Sequence, residues 1–315
     1  MINRRCFITG VKSIKLSQKE KIFLKKYKPW GIILFSRNIK SISQTKKLTE
    51  DIRKIFKDNN YPILLDQEGG HINRLSKSLN TGSLTSKFFG DLYNKDKKKF
   101  ESYYKIFIDK TSFLLKKIGV NINTVPVLDI RVKSSSSIIG DRAFSNNPRI
   151  IDKIGDFTIK HYQKKNIGTV IKHIPGHGLA KVDSHKLTPI VKAKLSYLMK
   201  NDFQTFKNKK SFFAMTAHII YNEIDKINTA THSKKVIQLI RDKIKFYNIL
   251  MSDDISMKSL KDSVKENTQK AFSAGCNLVL HCNGKMNEMR RIAKVVPNID
   301  KITIKKTSHF YNFLI

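Results

Sequence analysis

The stretch GTVIKHI, at residues 168–174, has the length and the apolar composition of a β-strand that is buried on both faces. Seven other short runs share this pattern, at residues 6–11, 31–35, 62–66, 122–130, 212–219, 248–254 and 276–282. Between the runs lie Lys-rich amphipathic segments of helical length, at residues 16–27, 43–57, 97–117, 149–165, 195–207, 233–245 and 257–273. Eight strands that alternate with helices predict an α/β fold with a parallel sheet.

Eight such units within 315 residues are typical of a (β/α)8 barrel of the TIM type. An open doubly wound sheet is the alternative, but no G-x-G-x-x-G motif follows the first strand. The chain has no internal repeat and no long linker, so residues 1–315 are expected to form a single domain.

Serine and glycine residues mark several predicted helix ends. Ser17, followed by Glu20, has the pattern of a capping box, and Ser43 and Ser233 are predicted N-caps. Gly275 falls where a helix is expected to end before the next strand.

The chain is strongly basic, with a net charge of +36 and a pI of about 10.1. Such a balance first suggests a nucleic acid or an anionic membrane as the partner. The lysines are scattered along the whole chain, however, and the densest cluster, KDKKK at residues 95–99, lacks the interleaved aromatic residues of a base-stacking surface. We therefore predict a solvated basic surface with no dedicated nucleic-acid role.

The three cysteines, Cys6, Cys276 and Cys282, have no zinc-ligand spacing, and their odd number suits unpaired thiols in a reducing cytoplasm. Lysines interrupt the apolar stretch that an N-terminal signal peptide requires. No apolar run reaches the length of about 18 residues that indicates a transmembrane helix. The sequence therefore predicts a cytoplasmic protein without a membrane partner.

Polar residues end six of the apolar runs. They are Asp66, Asp129, Lys172 with His173, His218, Asp253 with Asp254, and His281. In a barrel the carboxyl ends of all strands meet on one face, where active sites lie. Burying such groups is costly unless they are partnered, so a shared site explains their clustering better than six separate structural roles.

Four chemistries compete for that site. His173, His177, Asp183 and His185 are plausible zinc ligands, but Pro175 keeps the first pair off one helix face, and no H-E-x-x-H motif occurs. A nucleotide site would need a glycine-rich loop with a lysine, and acyl transfer would need a G-x-S-x-G motif; neither occurs. These three chemistries are disfavoured.

The fourth chemistry is glycoside hydrolysis, which uses a carboxylate on one side of the anomeric carbon and a proton donor on the other. Asp253 or Asp254 provides the carboxylate, and the residues alone do not choose between them. His185 is the candidate donor, because residues two apart in an extended segment point the same way, which places Asp183 beside it. A neighbouring carboxylate orients an imidazole and favours its protonated form.

Six blocks of sequence occur in an order that resembles one known family. They are ILFSRN, LDQEGGHINRL, VPVLDI, KHIPGHG with DSHKLTP, MTAHIIY and MSDDISM. From about residue 10 to about residue 283, the chain resembles the bacterial β-N-acetylhexosaminidases of glycoside hydrolase family 3, of the peptidoglycan-recycling type. The KHIPGHG block followed by DSH is highly specific.

The resemblance implies a single catalytic TIM-type barrel that acts as a retaining β-N-acetylglucosaminidase through a covalent glycosyl-enzyme intermediate. The implied substrates are muropeptides, in which terminal N-acetylglucosamine is attached to 1,6-anhydro-N-acetylmuramic acid. No metal ion and no organic cofactor are implied, and we expect a monomer.

The resemblance also implies the roles of individual residues. Asp253 matches the nucleophile, His185 the general acid/base and Asp183 its partner. The residues that match sugar-binding positions are Asp66, Arg74, Arg142, Lys172 and His173.

The PGHG loop and two departures from the family pattern need separate mention. His177 matches a motif histidine that is implied to order this loop, and the loop glycines predict that residues 176–184 are mobile. His71 stands where the family usually has Arg, and Asp141 where it more often has Glu. The first change puts an ion pair in doubt more than catalysis, because Arg74 is present.

Two alternatives stay open. A related family member acts as a phosphorylase, with phosphate instead of water as the acceptor. From a different class, the +36 charge suits a catalytically inactive barrel that binds an anionic polymer.

Overall fold

The computed structural model describes residues 3–132, 139–184 and 186–315. Eight parallel strands follow one another around a barrel, and β1 pairs with both β2 and β8, so the sheet is closed. This confirms the predicted (β/α)8 barrel and excludes the open sheet. The strands are β1 Arg5–Gly10, β2 Pro29–Leu34, β3 Ile63–Leu65, β4 Ile122–Asn123, β5 Gly168–Ile174, β6 Phe213–Thr216, β7 Ile249–Asp254 and β8 Leu278–His281.

Helices pack around the outside of the barrel and bury their apolar faces against it. They are α1 Gln18–Tyr27, α2 Ile42–Phe56, α3 Ser86–Lys95, α4 Lys97–Lys117, α5 Pro148–Lys164, α6 Leu195–Lys200, α7 Lys234–Asp242, α8 Val264–Ala274, α9 Met286–Val295 and α10 Lys301–Phe313. In the part of the chain that the structure describes, none of these helices has the length and hydropathy needed to cross a membrane.

Most predicted helix ends are confirmed, and one predicted cap is wrong. Ser17 and Glu20 form a capping box at the start of α1, and Gly275 ends α8 in the left-handed conformation. The N-cap of α2 is Ser41, not Ser43, because Ser41 has the extended backbone that lets its side chain accept the Gln44 amide.

Three predicted elements are longer than the observed ones. The apolar run at residues 122–130 contributes only two residues to β4, because the Val125 amide turns back to the Asn123 carbonyl at 2.9 Å, and pairing with β5 resumes only as a single bridge between Val127 and Lys172. The helix predicted at residues 195–207 ends at Lys200, and a 3₁₀ helix, Phe203–Phe206, follows it. The helix predicted at residues 257–273 begins only at Val264, which leaves residues 255–263 as a loop.

Two small sheets shape the carboxyl end of the barrel. Gln67–Gly69 pairs with Ile72–Asn73 after β3, and Ile190–Val191 pairs with Ile220–Tyr221 between the loops that follow β5 and β6. These pairings hold the long loops on the face where the polar strand ends emerge.

Candidate active site

Three of the six polar strand ends that the sequence predicts lie together on the carboxyl face and supply the candidate site. Asp66 follows β3, Lys172 and His173 lie near the end of β5, and Asp253 and Asp254 end β7. His281 is different, because its Nε2 pairs with Glu288 of α9 at 3.0 Å and the side chain is buried away from the other groups.

A cluster of charges, formed by Asp66, Glu68, Arg74, Arg142 and Lys172, lies on one side of this face. We call it the charge cluster. Lys172 Nζ lies 3.2 Å from Asp66 Oδ1 and 2.6 Å from Glu68 Oε1. Arg142 donates to both Glu68 oxygens, through Nε at 2.8 Å and NH2 at 2.9 Å, while Arg74 NH2 lies 3.5 Å from Asp66 Oδ2. Three cations and two carboxylates therefore form one nearly buried network of charge-assisted contacts.

The charge cluster is held in its ionised form. Burial alone would raise the pKa of Asp66, but Lys172 and Arg74 outweigh it and hold the pKa below its ordinary value. Burial likewise acts against ionised Glu68, yet Arg142 and Lys172 bring the pKa of that carboxyl well below its usual range. Burial would lower the pKa of Lys172, and the two carboxylates raise it instead. The cluster thus offers both charged donors and charged acceptors to a polar ligand.

Glu68 was not predicted as a site residue, although it joins two of the predicted cations. A usable signal was present in the sequence DQE, because Asp66 and Glu68 are two residues apart on extended backbone and so point to the same side. Its side chain is only 4% exposed, which shows how completely the cluster encloses it.

Asp129 is a second residue that the prediction of site residues left out. Its buried carboxylate accepts the His173 amide at 3.2 Å, the His173 Nδ1 proton at 2.7 Å and the His177 amide at 2.6 Å. Burial would raise the pKa of Asp129, but the two histidines hold it below its ordinary value. Asp129 therefore fixes the orientation of the His173 ring, with its Nε2 directed away from the carboxylate.

His177 connects the start of the loop after β5 to its later part. Its Nε2 lies 3.1 Å from the hydroxyl of Ser184, the residue before His185, and both side chains are buried. Burial, with the nearby His173, lowers the pKa of His177 to about 4, so the ring is neutral near pH 7. This gives His177 a structural role within the loop.

A pH-dependent loss of stability is expected from His177. In the unfolded chain the ring takes up a proton near its ordinary pKa of 6.5, whereas in the folded protein it does so only near pH 4. Stability is therefore lost as the pH falls through this window. We expect His177→Gln to lose less unfolding free energy than wild type between pH 7 and pH 4.5 in urea titrations. His309→Gln, on the exposed side of α10, is the control, and equal losses in wild type and His177→Gln would contradict the assignment.

The glycines of the PGHG loop pack closely, which narrows the segment predicted to be mobile. A Cβ atom on Gly178 would overlap the carbonyl oxygen of Ile130, and one on Gly176 would lie 2.6 Å from Cβ of Asp202. Tyr221 also donates its hydroxyl hydrogen to the Gly176 carbonyl. Residues 176–178 are therefore part of the packed core of this face, and the prediction of mobility stays open only for the residues after them.

The two adjacent aspartates at the end of β7 have different surroundings. The Asp254 carboxylate accepts the Ser256 amide at 3.0 Å, the Ser256 hydroxyl at 2.8 Å and the Cys282 amide at 3.3 Å. Asp253 accepts the Asp254 amide at 2.7 Å through Oδ1. The Asp254 side chain is thus engaged in hydrogen bonds that hold the turn after the strand. The backbone carbonyl oxygen of Asp254 lies 3.1 Å from His218 Nε2.

The Cys282 thiol, which follows β8, is influenced by carboxylates that lie at two other strand ends. Burial raises the pKa of its thiol well above the ordinary value, and Asp254, Asp253 and Asp66 raise it further. Asp66, which follows β3, and the two aspartates that end β7 thus all disfavour the ionised form of this thiol. A thiol with a raised pKa is a poor nucleophile, and burial also raises the pKa of Cys276 to about 12, so neither cysteine suits acyl transfer.

The predicted proton donor, His185, lies outside the described residues. Asp183 is partly buried, and its carbonyl oxygen accepts the Lys186 amide at 2.9 Å. Thr188 donates its hydroxyl hydrogen to the Ser259 carbonyl at 2.7 Å, and so ties the end of this loop to the loop that follows Asp253.

The described histidines among the candidate zinc ligands have other partners. In residues 3–132, 139–184 and 186–315, no group of three or more His, Cys, Asp or Glu side chains is arranged to hold a metal ion. His173 Nδ1 is engaged with Asp129, and His177 Nε2 with Ser184.

The two departures from the family pattern lie next to each other. His71 Nδ1 is 3.2 Å from Asp141 Oδ1, and both side chains are largely exposed. His and Asp side chains, which are shorter than the Arg and Glu of the family pattern, thus connect the loop after β3 to the 3₁₀ helix that carries Arg142. Because the pair is solvated, its loss is expected to affect stability little.

Known proteins match almost the whole of this chain. The family described as Glycosyl hydrolase family 3 N terminal domain matches residues 6–308. A Beta-hexosaminidase of Nitrosomonas eutropha is 30% identical over 260 residues, which is 80% of this chain and 73% of that protein. A Beta-hexosaminidase of Neisseria meningitidis serogroup C is 28% identical over 305 residues, which is 94% of this chain and 84% of that protein.

A solved structure also has the same fold over nearly the full length. NagZ from Neisseria gonorrhoeae, in complex with N-trifluoroacetyl-D-glucosamine, superimposes with a TM-score of 0.88 at 26% sequence identity. The match covers 98% of this chain and 90% of that one.

Proposed function

Since the chain belongs to glycosyl hydrolase family 3 and is a β-hexosaminidase of that family, we propose that it releases terminal N-acetylglucosamine with retention of configuration. The observation that carries the proposal is the placement of Asp253 at the carboxyl end of β7, on the face of the barrel that also holds the charge cluster. Membership of this hydrolase family disfavours the alternative that the protein is a catalytically inactive barrel that binds an anionic polymer.

Asp253 is the proposed nucleophile. The carboxylate of its neighbour, Asp254, already accepts three hydrogen bonds from the following turn and the end of β8. An ionised Asp253 attacks the anomeric carbon, and the bond to the leaving oxygen breaks as a covalent glycosyl-enzyme forms. Water then displaces the enzyme from that carbon, and the second inversion restores the original configuration.

The charge cluster is the proposed sugar-binding site. Asp66 is an ionised acceptor for sugar hydroxyls, and Lys172, Arg74 and Arg142 are charged donors to sugar oxygens. His173 adds a ring that Asp129 fixes in one orientation. A terminal sugar, with hydroxyls in several directions, suits this mixture of donors and acceptors.

His185 is the proposed proton donor, with Asp183 as its partner. If His185 protonates the leaving oxygen, His185→Ala should slow natural disaccharides by about 10²–10⁴-fold. It should slow aryl glycosides much less, because a phenolate leaves without protonation. The ratio of kcat/KM for a 2,4-dinitrophenyl N-acetylglucosaminide and a GlcNAc disaccharide tests this. His309→Ala is the matched control, and equal losses on both substrates in His185→Ala would remove His185 from the acid role.

The substrate class, the assembly and the compartment are proposals of the same kind. We propose muropeptides with 1,6-anhydro-N-acetylmuramic acid as substrates, one catalytic domain over residues 1–315, a monomer, and a cytoplasmic location. The similar proteins are β-hexosaminidases, which supports the identity of the sugar that is released but does not identify the leaving group.

Hydrolysis is distinguished from phosphorolysis by measuring turnover with and without phosphate. A rate that needs phosphate, with glycosyl phosphate as the product, would replace the hydrolase proposal.

A further inference from the structure

His218 is a buried polar residue after β6 that the proposed chemistry does not use. It lies two residues beyond Thr216, the last residue of the strand, and is only 1% exposed. Its Nε2 lies 3.1 Å from the carbonyl oxygen of Asp254, and its Nδ1 lies 2.7 Å from the hydroxyl oxygen of Thr231. That hydroxyl is farther, at 3.3 Å, from the carbonyl oxygen of Ala217. Both ring nitrogens of His218 therefore have partners inside the protein.

The partners of His218 decide which ring nitrogen carries a hydrogen. A carbonyl oxygen only accepts, so Nε2 carries a hydrogen and donates it to Asp254. Burial lowers the pKa of His218, although the charge of Asp253 acts in the opposite direction, so the ring is neutral near pH 7 and its Nδ1 is an acceptor. The Thr231 hydroxyl then donates to Nδ1, its closer acceptor, and the Thr216 hydroxyl, 2.8 Å away, donates to Thr231. This chain of hydrogen bonds holds the ring in one tautomer and one orientation.

The peptide group between Asp254 and Ile255 is held from both neighbouring strands. Its carbonyl oxygen accepts from His218 after β6, and its amide, which belongs to Ile255, donates to the Leu280 carbonyl of β8 at 2.9 Å. One position earlier, the Asp254 amide donates to Asp253 Oδ1 at 2.7 Å. Because peptide groups are rigid planes joined at the Cα atoms, a displaced Asp254 carbonyl group also disturbs the amide that orients the Asp253 carboxylate.

We propose that His218 is a positioning residue for the nucleophile: its Nε2–H group fixes the backbone at Asp254 and thereby the direction of the Asp253 carboxylate. The proposal rests on the proposed function, because it takes Asp253 as the nucleophile. In this role His218 acts through the backbone alone and does not touch the reacting atoms. Its loss is therefore expected to slow the attack on the anomeric carbon, which lowers kcat, while the binding of the sugar and hence KM change little.

Two substitutions of His218 separate its two hydrogen bonds. The amide nitrogen of a glutamine reaches the position of Nε2, whereas the shorter asparagine reaches only the position of Nδ1, beside Thr231. His218→Asn should therefore lower kcat on 4-nitrophenyl N-acetylglucosaminide by about 10²-fold, with KM within about threefold of wild type. His218→Gln keeps a donor for the Asp254 carbonyl and should retain kcat within about fivefold of wild type. Equal losses of kcat in the two variants would overturn the proposal.

His232→Asn is the matched control, because His232 makes the same kind of bond to a different element. Its Nε2 also lies 3.1 Å from a backbone carbonyl oxygen, but that oxygen belongs to Asn267 of α8. The control should keep kcat within about twofold of wild type. A loss of kcat as large as that in His218→Asn would show a general effect of removing a histidine from this loop, and would overturn the role of His218.

Thr231→Val tests the same chain of hydrogen bonds without a change in the ring, and decides the matter if His218→Asn does not fold. A methyl group cannot lie 2.7 Å from Nδ1, so the ring is displaced from the Asp254 carbonyl and kcat should fall by about tenfold. Thr229→Val is its control, because the buried Thr229 hydroxyl has no hydrogen-bond partner among the described residues. Equal kcat in the two valine variants would overturn the role of His218, whereas a wild type that fails to cleave the aryl glycoside would overturn the proposed function itself.

Discussion

Asp253→Asn is expected to lower kcat on an aryl N-acetylglucosaminide by about 10⁴-fold or more while the protein stays folded. The amide has nearly the shape of the carboxylate, and its oxygen still accepts the Asp254 amide, which is 2.7 Å from Asp253 Oδ1 in wild type. It does not form the glycosyl ester, because an amide is a far weaker nucleophile than an ionised carboxylate. Steady-state kinetics and thermal unfolding of the same preparations measure the two effects.

Asp254→Asn is the informative neighbour for comparison. Its carboxylate accepts hydrogen bonds from Ser256 and Cys282, so this variant should lose about 1–3 kcal/mol of stability together with part of its activity. Asp253→Asn is thus expected to lower kcat strongly with little loss of stability, whereas Asp254→Asn is expected to lose more stability and less activity. Full activity in Asp253→Asn, or a larger loss of kcat in Asp254→Asn than in Asp253→Asn, would show that another carboxylate is the nucleophile.

Glu68→Gln is expected to destabilise the protein by about 3–5 kcal/mol, because it leaves buried cations without the carboxylate they share. Glu68 Oε1 lies 2.6 Å from Lys172 Nζ, and Arg142 donates to both of its oxygens. The glutamine oxygen still accepts hydrogen bonds, but the negative charge that balances Lys172 and Arg142 is gone. The variant should also have a raised KM, because those two cations are proposed sugar contacts that Glu68 orients.

The exposed ion pair between Lys87 and Asp91 provides the control for Glu68→Gln. Its atoms lie 2.6 Å apart, as close as those of the buried pair, but both side chains are about half exposed. Asp91→Asn should therefore cost less than about 1 kcal/mol in urea unfolding and leave KM unchanged. A cost at Glu68 no larger than that at Asp91 would show that the charge cluster is not a stabilising unit.

The barrel was predictable because its strands are continuous apolar runs. Gly168–Ile174 is buried at every position and has the predicted bounds, and Lys97–Lys117 is the predicted helix. The errors lie where local geometry decides: the Val125 amide turns back to the Asn123 carbonyl and ends β4 early, and Ser41 rather than Ser43 has the extended backbone that caps α2. Composition and periodicity carry little information about such single-residue effects.

The candidate site was predictable only in part, for a related reason. Polar residues at strand ends indicated the correct face, but their pairing depends on loops that return from distant parts of the sequence. Glu68 meets Arg142 across 74 positions, and Asp129 meets His177 across 48. Without the family resemblance, the choice between Asp253 and Asp254 likewise depends on the hydrogen bonds of Asp254 to the turn and to Cys282, which the residues alone do not reveal.

Trapping of the covalent intermediate would identify the nucleophile on the protein itself. A 5-fluoro N-acetylglucosaminyl donor with a good leaving group forms the glycosyl-enzyme faster than water removes it, so the labelled peptide can be mapped by mass spectrometry. One added sugar is expected on the peptide that contains Asp253, with fragmentation placing it on Asp253 rather than on Asp254. A label on any other residue, or turnover without any covalent species, would contradict it.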